Sequence, residues 1–275
     1  ADKYGAEFCD IRMIEERRQE ISFKDGEIAG LTDQVSLGYG IRVLYRGAWG
    51  FSSSGRLTGR AVEETALKAI SIAKASGLLM AGRVTLAAEP PYSDFWQTPF
   101  IKDPFMVPLS VKLDLLSKVD AILRKDKKIR AAEAALRFIR EHKWNLTTDG
   151  SRIEQVILSS GAGCSATAVE GAEAQTRSYP CPHGGQTSGG GWEVIENLNM
   201  PEHAQLVREE AIALLTAPAC PSGVKDLIIS GNQLALQIHE SVGHASELDR
   251  VLGYEESYAG SSFATTEKLG KFRYG

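Results

Sequence analysis

The stretch SLGYGIRVLYRGAWGFSSSG, residues 36–55, restricts the fold more than any other part of the chain. Aromatic and β-branched residues punctuated by glycine favour extended backbone, and Arg46-Gly47 reads as a hairpin turn between Val43-Leu44 and Trp49-Phe51. FCDIRMIEE and RQEISFKDG upstream have the same character. Next, Val62, Ala66, Ala69, Ile70 and Ala73 recur at helical spacing, with Thr58 as N-cap and Gly77 as stop. Strands followed by a helix make one α+β unit, residues 1–82.

RVTLAAEPPYSDFWQTPFIKDP is rich in proline and has no sustained period, so residues 83–104 read as a linker over the surface. After it, Ser110 is a candidate cap for a helix whose Leu115, Leu116, Val119, Ile122 and Leu123 form one apolar face. LRFIREHKWNL and RIEQVILSS read as strands joined at Asp149-Gly150, and CSATAVE and AEAQTRSY as two more short ones. The Gly-rich HGGQTSGGGWE fits neither dinucleotide nor phosphate-loop spacing and reads as a flexible connecting loop. Cys181 and His183 form a lone CxH pair without a partner pair, a weak metal signal. A helix over about 202–215, burying Leu206, Ile212 and Leu215, ends at PACPSG. Residues 105–217 are thus a second α+β unit, and no repeat period links it to the first.

Beyond this boundary VKDLIIS reads as a buried strand and LALQIHESVGH as a helix. Its His239 and His244 are five residues apart, about 140° around a regular helix, whereas the four-residue spacing of HExxH leaves about 40°. Both rings reach one ion only if the helix widens or breaks, and Gly243 permits such a distortion. If the site forms, two imidazoles hold a metal and Glu240 takes a proton from water beside it. The competing reading is two polar histidines at a helix end and a solvated acid. The expected fold class is α+β: N-terminal and central units of mostly antiparallel sheet with packed helices, followed by the start of a third, metal-binding domain at 218–275.

The net charge of −4 and pI near 5.8 give no basic field for nucleic acid or an anionic membrane. No run approaches the ~18 apolar residues of a membrane span, and ADKYGAEFCD lacks the layout of a signal peptide, which points to the cytoplasm. Cys9, Cys164, Cys181 and Cys220 form no CxxC pair, against a disulfide framework or zinc ribbon.

IHESVGHASELDRVLGYEESYAGSSF, with VKDLIIS before it, resembles the metal-binding segment of the TldD/PmbA family, specifically the TldD branch with its HExxxH signature. VSLGYGIRVLYRGAWGFSSS is similar to that family's N-terminal domain, HGGQTSGGGWE to the Gly-rich stretch of its central domain, and the order agrees. The resemblance implies a zinc peptidase acting on short or unfolded peptides in peptide maturation or degradation. His239 and His244 would be Zn²⁺ ligands and Glu240 the general base. It also implies a dimer, either of this chain or with a TldE/PmbA-like paralogue. In the family a cysteine near the C-terminus completes the zinc site; this chain stops at Gly275, and none of its four cysteines lies after the metal helix. It therefore resembles the N-terminal part of a TldD-like protein, with weak zinc binding and little activity expected of this polypeptide alone, together with self-association or a need for a separate polypeptide that completes the domain. The alternative is a non-catalytic peptide-binding or scaffold subunit of a TldD/TldE-type complex.

Overall fold

The computed structural model describes residues 4–80, 82–181 and 185–273. The chain folds as two compact units, residues 1–217 and 218–275.

The first unit is a mixed α+β structure built on one eight-stranded sheet. Its spine is four long antiparallel strands: β1 (Phe8–Lys24), β2 (Glu27–Tyr45), β5 (Ile129–Thr147) and β6 (Arg152–Glu170). The order is β3-β2-β1-β5-β6-β4, where β3 is Ala48–Ser54 and β4 Ser93–Gln97. Because β1 pairs with β5 over Asp10–Lys24, the N-terminal and central segments share this sheet. Tight turns set the registers. Asp25 (φ 52) and Gly26 (φ 94) close β1–β2, and Arg46 (φ 50) and Gly47 (φ 79) close β2–β3. Two consecutive positive φ angles are what a two-residue hairpin of the primed kind requires.

Side-chain alternation gives the sheet one packed and one open face. At one end Tyr39, Ile41 and Val43 of β2 pack against Ala69 and Ile70 of α1 (Gly59–Ser76). Thr58 caps α1, its hydroxyl accepting from the Ala61 N–H at 3.2 Å. Towards the other end Leu136 and Phe138 of β5 and Ala162 and Cys164 of β6 pack against Leu116, Val119 and Leu123 of α2 (Leu109–Leu123). Trp192 of α3 (Trp192–Leu198) and Met200, Ala204 and Val207 of α4 (Met200–Leu214) complete this core. Each fully buried large apolar side chain contributes about 1.5–3 kcal/mol. The open face carries ion pairs such as Arg18–Glu16, Arg137–Glu20 and Lys143–Glu141, which are solvated and contribute little individually.

Several sequence expectations are corrected here. RIEQVILSS and CSATAVE are not separate strands but one, β6, running through Gly161 and Gly163. Its far edge is divided among β4 in parallel, β8 (Gln186–Gly189) and β7 (Glu173–Tyr179). The proline-rich 83–104 segment thus contributes a strand, because the β6 edge at Arg152–Val156 has open hydrogen-bonding groups for it. The Gly-rich stretch likewise supplies β8, and Gly191 lies so close to Lys102 that a Cβ there would fall 2.2 Å from the Lys102 carbonyl oxygen. Its glycines serve close approach as well as chain reversal. His183 lies outside the described residues. Ser110 does not cap α2, which begins after Pro108. α4 buries Met200, Ala204, Val207 and Ala211 rather than Leu206, which is exposed.

In the second unit VKDLIIS forms no strand; the backbone from Val224 to Ser230 has no sheet partner, and Val224, Leu227 and Ile228 are exposed. Its apolar run satisfies the composition of a buried strand, but strand structure needs a neighbour to pair with. α5 (Gly231–Ile238), a widened turn (His239–Gly243), a 3₁₀ turn (His244–Ser246) and α6 (Leu248–Val251) follow. No described helix is long and apolar enough to cross a membrane.

Candidate metal centre

α5 carries Leu234, Leu236 and Ile238 into His239, with each residue advancing about 100°. At His239 the helix changes pitch. The His244 N–H donates to the His239 carbonyl, an i to i+5 bond, so His239–Gly243 is one turn of π-helix. A π-turn takes about 4.4 residues per revolution, so i+5 comes to roughly 50° from i. The 140° separation of a regular helix is thereby much reduced, and the His239 and His244 ring centroids lie 4.3 Å apart, edge to face.

The widened turn is fixed at its end. Gly243 has helical angles, φ −55 and ψ −63, so glycine's access to positive φ is not what permits the distortion. The single Ser246 hydroxyl hydrogen is shared between the carbonyls of Val242 at 2.9 Å and Gly243 at 3.1 Å, acceptors at the helix end. Ser262 Oγ donates to the Ala245 carbonyl at 2.5 Å and anchors the turn against a segment further on.

His239, Glu240 and His244 each offer a donor atom, and these atoms lie within 4.8 Å of one another. Two donors on one tetrahedral zinc at about 2.1 Å stand roughly 3.4 Å apart, so small side-chain rotations suffice to bring the set onto one ion. Two imidazoles are donors that suit zinc, and the Glu240 carboxylate beside them is placed next to such an ion. The residues present fit a divalent metal. His239 and Glu240 are exposed, and the His244 side chain is 30% exposed.

One contact escaped the sequence reading. His244 Nδ1 lies 3.0 Å from Glu247 Oε1, and Arg250 Nε lies 3.2 Å from Glu247 Oε2. The signal was available: Glu247 is three residues after His244, and a 3₁₀ turn stacks i over i+3. Glu247, Asp249 and Glu255 also bring carboxylate oxygens within 4.8 Å of one another, with Arg250 paired to two of them.

Among the described residues no cysteine joins a cluster that could hold a metal. Burial pushes the Cys164 thiol up to about 11, which keeps it protonated. Cys181 Sγ lies 2.7 Å from the Gly185 carbonyl oxygen.

Comparison with known proteins gives an independent line. The family model described as PmbA/TldA metallopeptidase domain 1 matches residues 9–73, and that of the PmbA/TldA metallopeptidase central domain matches 102–215. A protein named metalloprotease from Methanothermobacter thermautotrophicus is 30% identical over 252 residues, covering 90% of this chain and 52% of that protein. Another so named, from Methanocaldococcus jannaschii, is 28% identical over 249 residues, 90% of this chain and 53% of its own length. The chain spans about half the length of these relatives. Among solved structures, TldE from Thermococcus kodakarensis superposes with a TM-score of 0.54 at 14% identity, over 78% of this chain and 45% of that one. A Thermotoga maritima protein, named for a proposed role as modulator of a DNA gyrase, gives 0.62 at 20% identity over 81% and 48%. At such identities these two likenesses establish the fold alone.

Proposed function

This chain belongs to the PmbA/TldD metallopeptidase family, and on that premise we propose that it is the metal-bearing, TldD-like subunit of a zinc peptidase hydrolysing short or unfolded peptides. The observation that carries the reading is the π-turn at 239–243, which gathers His239, Glu240 and His244 on one side of an otherwise regular helix.

In this reading residues 218–275 supply the metal-binding segment, and His239 and His244 are zinc ligands through neutral imidazole nitrogens. A Zn²⁺ ion held there supplies Lewis acidity, polarising a peptide carbonyl and lowering the pKa of water towards ~7. Glu240 follows directly on the first ligand, and its carboxylate lies within reach of both rings. It takes the proton of the attacking water and returns it to the leaving amine, the two halves of general acid–base catalysis. The functional assembly is a dimer, with a second copy or with a TldE/PmbA-like paralogue; the likeness to TldE supports a fold shared by both kinds of subunit.

The test is Glu240→Gln beside His239→Ala in the intact protein, with bound zinc and cleavage of an unstructured peptide measured together. Glu240→Gln should retain zinc and lose roughly 10² to 10⁴ in rate, since the amide accepts no proton. His239→Ala should lose both. Undiminished cleavage by Glu240→Gln would remove the general-base assignment.

A further inference from the structure

Resting on the metal reading above, we propose that Glu247 is a positioning residue for His244: its carboxylate fixes which imidazole nitrogen faces the metal. A carboxylate oxygen only accepts hydrogen bonds when ionised, so at 3.0 Å from Glu247 Oε1 it is His244 Nδ1 that carries the proton. That leaves the lone pair on Nε2, the one nitrogen of the ring able to bind an ion. A free neutral imidazole divides its proton between the two nitrogens and rotates about its χ angles, and the Glu247 contact removes both freedoms.

The local fold builds this contact. The π-turn ends at Gly243 and the backbone tightens into a 3₁₀ turn over His244–Ser246, with Glu247 N–H donating back to the His244 carbonyl at 3.4 Å. Three residues per turn place the Glu247 side chain directly over that of His244. On the next turn Arg250 brings its Nε to 3.2 Å from the other oxygen, Oε2, and to 4.0 Å from Glu255 Oε2. A cation inside the Glu247–Asp249–Glu255 group opposes the binding of a second metal there. His244 and Glu247 therefore form a carboxylate–histidine pair, with Arg250, whose Nε makes no hydrogen bond, an ion-pair partner of the carboxylate. Such carboxylate partners typically strengthen metal binding about 10- to 100-fold.

The experiment measures Zn²⁺ and Co²⁺ dissociation constants, by competition with a chromophoric chelator, for the intact native protein and for Glu247→Ala, Glu247→Gln and Glu255→Gln. The visible spectrum of bound Co²⁺ reports the ligand geometry, and circular dichroism without metal reports the fold. Glu247→Ala should bind about 10- to 100-fold more weakly, with an altered Co²⁺ spectrum and native circular dichroism. Glu247→Gln keeps an oxygen that accepts from Nδ1 and should recover part of that loss, whereas Glu255→Gln should stay near native. Native affinity in the Glu247 variants overturns the proposal. Equal losses in Ala and Gln also overturn it, since they would make Glu247 itself a ligand. If Glu247→Ala fails to fold, Glu247→Gln decides alone: native affinity, or a loss beyond about 100-fold, overturns the role, and a smaller loss absent from Glu255→Gln sustains it. A native protein that takes up no metal would instead overturn the peptidase reading, and this inference with it.

Discussion

A π-turn gives up regular α-helical hydrogen bonding at one turn and persists where neighbouring contacts hold it. At His239–Gly243 those contacts are the shared Ser246 back-bond and the Ser262 anchor, not the glycine. The need for an irregular turn was legible from the five-residue spacing of the histidines, because geometry alone requires it. Its cause was not, because Ser246 and Ser262 act through hydrogen bonds that spacing does not reveal. A Cβ on Gly243 would lie 3.9 Å from His239 Nδ1 and from the Ile238 carbonyl, ordinary contact distances. Gly243→Ala should therefore change metal affinity by less than the about 10-fold expected when a ligand loses its orienting partner. A larger loss, measured by chelator competition, would mean that the turn must flex when metal enters. The cysteines allow a second residue-scale test. Cys164 is buried with its thiol pushed up to about 11, while Cys220 is exposed. A thiol reagent at neutral pH should modify Cys220 quickly and Cys164 only on unfolding; early labelling of Cys164 would show that the β5–β6 core opens locally.

At the scale of elements, the hairpin turns and α1 were legible because their chemistry is local: Arg46-Gly47 and Asp149-Gly150 as turns, Thr58 as cap. Pairing was not. Whether Ser93–Gln97 forms a strand depends on the free edge of β6, more than fifty residues away in sequence, and VKDLIIS, with better strand composition, forms none for want of a neighbour. Gly50 is a further case of a tertiary requirement behind an ordinary-looking residue. It sits in β3 beneath α1, where a Cβ would lie 2.0 Å from the Ala69 carbonyl oxygen and 2.4 Å from the Ala73 amide nitrogen. Both are backbone atoms, so no side-chain rotation relieves the overlap and the helix must lift from the sheet. Gly50→Ala should destabilise the first unit by about 3 kcal/mol, the upper part of the range for overpacking. Urea denaturation followed by circular dichroism measures it, and a change under about 0.5 kcal/mol, the scatter of neutral surface substitutions, would show that α1 is less tightly seated than it stands here.

On the scale of the whole molecule, the first unit closes its core over one buried cation. Lys112 of α2 is 1% exposed; its ammonium donates to Gln19 Oε1 on β1 and lies 4.6 Å from the Phe138 ring centroid on β5. It therefore stands where three elements that define the unit converge. Burial is the main force on it and lowers its pKa from 10.5 to about 8; Asp33 and Asp103 oppose the fall, and Arg17 adds to it. The consequence for stability follows from proton counts. Below about pH 8 the lysine is protonated in both folded and unfolded chains, and the full cost of the buried charge is present. Between about pH 8 and 10.5 the unfolded chain binds more protons than the folded one, so unfolding free energy rises with pH across that window. Above it both forms are neutral and the slope vanishes. Lys112→Met keeps the apolar stem without the charge. The variant should therefore be the more stable protein at pH 7, and its advantage should shrink as pH rises through 8 towards 10.5. Urea denaturation of both proteins at a series of pH values from 7 to 10 isolates the lysine, since all other titrating groups are common to the pair. Parallel stability curves would show that Lys112 remains charged throughout, held by Asp33 and Asp103 more strongly than burial opposes it.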